Sequence, residues 1–99
     1  MIKKLDIAEK IKESKINKHP KFYKLILLND DFTTMDFVVK ILIMFLNKTK
    51  SQAYSLMLKV HNEGSAVCGL YPIDVAKTIQ KKIHNYSNIN HQPLKCIIK

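Results

Sequence analysis

The side chains able to do chemistry in this chain are few, and they fall in separate places. An acidic turn, Asn29-Asp30-Asp31, follows an apolar run, and His61 lies some thirty residues later beside Met57 and Val60. His61 with Asp30 could form an acid–base pair, but no nucleophile accompanies them. The two cysteines, Cys68 and Cys96, each sit inside apolar runs, which suits buried thiols in a reducing compartment better than a disulfide framework. His61, His84, His91 and Cys68 have no recognised metal-ligand spacing. No catalytic residue, metal or cofactor is therefore assigned. Taken singly, the acidic cluster reads as a solvated turn and His61 as a satisfied boundary residue, since histidine is intermediate in burial.

The elements that must position these residues are readable from periodicity. Phe22 to Leu28 is an apolar run with β-formers at its start and reads as a buried strand. Asn29-Asp30-Asp31 ends it, because short polar side chains bond nearby backbone and favour turns. Thr33 is the expected N-cap of a helix over 34–46, with Asp36 able to return the bond. Thr49 and Gln52 form a second capping pair, opening a helix that ends near Asn62 with Gly64 as its stop. Ser65 to Leu70 is a short strand. Pro72 suits the first turn of a third helix with an apolar stripe of Val75, Ile79, Ile83 and Tyr86. The Asn-rich stretch to Gln92 reads as a loop, and Leu94 to Ile98 as a last strand. The order β-α-α-β-α-β predicts an α+β fold, a three-stranded, mostly antiparallel sheet packed against three helices.

Nine of the ten residues from Phe37 to Leu46 are apolar, Lys40 being the exception. Periodicity alone favours a fully buried central helix; the alternative is a face lining a pocket or partner site. Residues 1–20 are Lys-rich with scattered Leu5, Ile7, Ile11 and Ile16. We expect a flexible tail over 1–21 and one core domain over 22–99. The first residues lack the apolar stretch of a secretory signal, and the ten-residue run is too short to span a bilayer, so a cytoplasmic protein is expected.

The net charge is +9 with a 46% hydrophobic content. The charge invites a nucleic-acid hypothesis, but the lysines are spread from Lys3 to Lys99 without a basic run interleaved with aromatics. Solvated lysines are favoured over a nucleic-acid footprint. A basic RNA- or ribosome-binding module stays as the alternative, and it requires a contiguous lysine face.

Four segments carry a resemblance: Tyr23 through Val38, containing Asn29-Asp30-Asp31-Phe32-Thr33-Thr34-Met35; Leu56 through Gly64; Ala66-Val67-Cys68-Gly69; and Pro93-Leu94-Lys95-Cys96. Together they resemble the ClpS adaptor family of the Clp protease system, over about residues 22–98. The resemblance implies a non-enzymatic adaptor that binds proteins beginning with Leu, Phe, Tyr or Trp, the bacterial N-degron, and passes them to a ClpA- or ClpC-type AAA+ unfoldase. A monomer without membrane attachment is implied. Asn29, Asp30 and His61 would hold the substrate's α-amino group, with Thr33 and Asp31 at the entrance. Leu28, Met35, Val38, Met57, Val60 and Leu94 would form the apolar pocket, Met35 acting as its gate. Asp74 would contact the unfoldase. Ile79 stands where several family members carry a base, and that is a departure.

Overall fold

Our computed structural model describes residues 21–99. β1 (Tyr23–Leu28) is the central strand of a sheet ordered β2-β1-β3. Its alternation decides which face is covered: Leu25 and Leu27 are fully buried, whereas Lys24, Ile26 and Leu28 point the other way, as a two-residue period requires. α1 (Met35–Leu46) and α2 (Lys50–Glu63) follow as a pair, then β2 (Ser65–Tyr71), α3 (Ile73–Ile89) and β3 (Lys95–Ile98). Both outer strands pair antiparallel with β1. The α+β reading of three strands and three helices in this order is correct.

β2 carries a bulge. Val67 pairs with Ile26 and Gly69 with Leu25, so Cys68 is the extra residue. Gly69 leaves room for the Tyr71 ring, whose edge would lie 2.5 Å from a Cβ at this position. Cys68 and Ala66 still face the core, where they join the β1 leucines, Cys96 and the apolar sides of α1 and α2.

The helices depart from the sequence reading in three places. The cap of α1 is Thr34, one residue after the expected Thr33, and its hydroxyl accepts from the Phe37 N–H at 3.2 Å. Thr33 is taken by Asp30 instead, as described below. The second helix has the expected reciprocal cap, with the Thr49 hydroxyl accepting from the Gln52 N–H at 3.1 Å and Gln52 returning the bond at 3.0 Å. α3 runs to Ile89, three residues past the Tyr86 of the expected stripe, so Asn88 is helical rather than in a loop. Its buried line uses Ala76, Ile83 and Ser87, while Val75 is exposed. Tyr86 explains the extension: it stacks on Phe37 at 5.8 Å and meets Phe45 edge-on at 5.6 Å. Such contacts outweigh the weak loop preference of asparagine.

α1 is not fully enclosed. Ile43 and Met44 are exposed, which corrects the reading of a buried central helix. The single charge within its apolar run, Lys40, lies over the Tyr86 ring, 5.6 Å from its centroid. No helix among the described residues is long and apolar enough to cross a membrane. The expected tail over residues 1–20 lies outside the described residues.

Candidate functional site

The acidic turn is built by one carboxylate. Asp30 Oδ1 accepts from the backbone N–H of Phe32 at 2.8 Å and of Thr33 at 2.6 Å. Its Oδ2 accepts the Thr33 hydroxyl at 2.7 Å. Partial burial pushes the Asp30 carboxyl up, but the three bonds, led by the Thr33 hydroxyl, outweigh it and hold the group below the ordinary carboxylate value. The side chain is therefore an anion at neutral pH. Three of roughly four lone-pair positions are used internally, leaving about one, on Oδ2, for an outside donor. The Thr33 hydroxyl uses its one O–H in donating to Asp30, so only its oxygen lone pairs are open to a ligand.

The start of α1 is braced from the far end of the chain, since Gln92 Oε1 accepts from the Thr34 N–H at 3.2 Å. The turn is also tied to α2. The Asn29 N–H donates to the Gly64 carbonyl at 2.9 Å. Gly64 adopts φ 90°, a left-handed conformation that glycine takes without a Cβ penalty, and it ends α2 one turn after His61.

These ties bring both halves of the candidate site to one cavity of about 360 Å³. Asn29, Asp30, Asp31 and Thr33 line it from the turn, and Thr34, Met35 and Val38 from the start of α1. Met57, Val60 and His61 line it from one face of α2. Val38, Met57 and Val60 are buried and make an apolar floor, whereas Met35 is 44% exposed. The cavity thus joins an anionic, acceptor-rich lip to an apolar interior. It suits a ligand with a cationic donor at one end and an apolar group beside it.

Two residues expected in the pocket are not among those lining it. Leu28 follows Leu27 on β1 and so turns to the opposite sheet face, half-buried between Ser65 and Lys95. Leu94 is 2% exposed and packs within the core. Thr34 lines the cavity and was missed; its neighbour Thr33 carries the same signal, and only the capture of Thr33 by Asp30, three residues back, separates them. On α3, Asp74 is exposed and shares a shallow groove with Val75, Thr78, Ile79 and Lys82. Ile79 is partly buried against the core, a physical reason for an apolar residue there.

The thiols stand apart from this cavity. Burial pushes the Cys68 thiol up and the Cys96 thiol up to about 12, so neither is a thiolate nucleophile at neutral pH. His84 is also elsewhere. Its Nε2 accepts from the Cys96 N–H at 3.0 Å, while the Gln80 amide donates to the Cys96 carbonyl at 2.9 Å. Two α3 side chains thereby satisfy the backbone of edge strand β3. Among the described residues no three His, Cys, Asp or Glu side chains are grouped to hold a metal ion.

Comparisons with known proteins place the chain in a family. The family model for the ATP-dependent Clp protease adaptor protein ClpS matches residues 18–97. The ClpS adapter of Wolinella succinogenes is 46% identical over 94 residues, covering 95% of this chain and 92% of that protein. The ClpS adapter of Nitrosospira multiformis is 44% identical over 94 residues, covering 95% and 91%. Among solved structures, Agrobacterium tumefaciens ClpS2 bound to L-phenylalaninamide superposes with a TM-score of 0.79 at 31% identity, covering 82% of this chain and 98% of that one. With a family match over most of its length, the chain belongs to the ClpS family, the non-catalytic adaptors of the ATP-dependent Clp protease.

Proposed function

We propose that the cavity between the acidic turn and α2 seats the first residue of a substrate protein, preferring Leu, Phe, Tyr or Trp. The observation that carries this is the joining of an anionic lip to an apolar floor in one cavity. An α-ammonium is a cation with three donors, and Asn29, Asp30 and His61 offer an amide oxygen, a carboxylate and an imidazole nitrogen as acceptors. The side chain of residue 1 enters over Val38, Met57 and Val60, with Met35 as the gate. Burying a Leu or Phe side chain contributes roughly 1.5–3 kcal/mol. Asp31 and the Thr33 oxygen stand at the entrance, where the Thr33 oxygen can accept from a substrate backbone N–H.

The bound L-phenylalaninamide in the similar structure has a free amine beside a benzyl group, the same two features. An acetylated amine would leave the acceptors unpaired, so the site reads a chain terminus and not an apolar residue anywhere. The acidic lip also opposes a phosphate-bearing ligand at this cavity, against the nucleic-acid alternative.

Family membership gives a Clp unfoldase as partner. The finer reading is a ClpA- or ClpC-type unfoldase contacted through Asp74, by a monomeric cytoplasmic adaptor. Residues 1–21 then serve delivery, and among the described residues none that lines the cavity precedes Asn29. The test is a titration of peptides that differ only in residue 1, each with free and acetylated amine. Tight binding confined to free-amine Leu, Phe, Tyr and Trp peptides is expected; equal binding of acetylated forms overturns the reading. Removing residues 1–18 should leave that affinity unchanged and stop unfoldase-dependent degradation of a Phe-initiated reporter.

A further inference from the structure

A second cavity opens between α1 and α2, larger than the first at about 820 Å³. Met35 and Met57 line both, so the two share a wall. Its other side is formed by Val39 of α1 and Tyr54 of α2, with Asp36 and Lys50 also on its lining. Tyr54 is 56% and Met35 44% exposed, so large apolar surfaces stand in water beside the proposed seat of residue 1.

We propose that this groove is a subsite for the third residue of the substrate and favours a bulky apolar side chain there. The proposal rests on the reading of the first cavity as the seat of residue 1. An extended chain advances about 3.3–3.6 Å per residue and alternates its side chains. Residue 2 therefore points away, and residue 3 returns to the same side about 7 Å further on, so a chain running over the shared Met35–Met57 wall sets residue 3 in the groove. The chemistry fits an apolar side chain. Methionine thioethers adapt to ligand shape, and the Tyr54 ring supplies a flat apolar surface. Asp36 and Lys50 carry opposite charges, so the lining has no net charge with which to select a charged residue.

The test uses the full chain and peptides of equal length beginning Phe-Ser-Xaa or Phe-Xaa-Ser, with Leu, Phe or Ser at Xaa. Leu or Phe at position 3 should tighten binding about fivefold over Ser, as partial burial of such a side chain implies, with little effect at position 2. Tyr54→Ala, a change at an exposed side chain, should remove that preference and leave the all-Ser peptide unaffected. Absence of the preference in the unaltered protein overturns the subsite, as does a preference that survives in Tyr54→Ala or appears only at position 2. If Tyr54→Ala instead alters the sedimentation of the free protein, the groove is a self-association surface and the proposal falls. Acetylated versions of the same peptides separate the two readings. Loss of free-amine dependence removes the first cavity's assignment, while its retention without a position-3 preference removes the subsite alone.

Discussion

The backbone N–H of Asn29 donates to the carbonyl of Gly64 at 2.9 Å, and this one bond joins the end of β1 to the end of α2. Asn29 and Gly64 are thirty-five residues apart, yet the bond ties together the two sides of the cavity, the turn of Asn29 and Asp30 and the end of α2 that carries His61. The relative position of Asp30 and His61 therefore depends on how α2 ends. It ends with a left-handed glycine whose own N–H bonds the Val60 carbonyl at 2.9 Å.

Gly64→Ala should consequently destabilise the fold through backbone strain alone, because a Cβ at this position meets nothing within 4 Å. A left-handed conformation costs an L-residue about 1–2 kcal/mol. Thermal unfolding should show a Tm lower by several degrees. An unchanged Tm would mean that the turn relaxes without cost.

Asp30→Asn separates the two duties of that side chain. The amide oxygen can still accept from the Phe32 and Thr33 N–H groups, and the Thr33 hydroxyl can reverse to accept from the amide. The turn should survive while the negative charge is lost. Free-amine peptide affinity should fall by about tenfold or more, as expected when one partner of a charge-assisted bond is removed. Wild-type affinity would make Asp30 purely structural. The pH dependence has a definite sign. The folded value lies below the ordinary 3.8, so the stability from this carboxylate is present above about pH 3.8 and is lost as pH falls through the folded value.

Much of this arrangement was legible in the sequence because it is local. The capping pair of Thr49 and Gln52, the stop at Gly64 and the Asp30 turn depend on residues within a few positions. What was missed is partly local too, since Thr33 and Thr34 are equally good caps until the Asp30 carboxylate, three residues back, captures Thr33. The rest depends on distant contacts. Asn88 suggests a loop, yet the helix anchored by Tyr86 on Phe37 and Phe45 carries on to Ile89. Leu28 follows the buried Leu27 and turns to the opposite sheet face, while Leu94 is buried in the same core as Val38, Met57 and Val60. The Phe37–Leu46 run signalled burial, yet too few elements surround it to cover Ile43 and Met44.

Met35→Ala should broaden selectivity. Met35 is 44% exposed at the cavity mouth, so its truncation removes crowding with little loss of core packing. Peptides beginning with Ile or Val should gain affinity, and those beginning with Leu should keep theirs. Fluorescence titration of the three peptides checks this; uniform weakening would assign Met35 to packing alone.

Away from the cavity, His84 holds β3. Its Nε2 accepts the Cys96 N–H at 3.0 Å, and an acceptor nitrogen must be unprotonated. Burial, and then the positive charge of Lys95, hold the imidazole below its ordinary 6.5. The unfolded chain therefore binds more protons than the folded one between the folded value and 6.5. The linked stability is present above about pH 6.5 and declines as pH falls through that window. Protonation also breaks the bond to Cys96 and leaves an edge-strand N–H unpaired. Tm should be level from pH 8 to 7 and fall below about 6.5. His84→Gln, whose amide oxygen can accept the same N–H without titrating, should flatten that part of the curve. If the variant and the parent lose Tm in parallel on acidification, another group governs acid stability and the bond from Cys96 to His84 has no share in it.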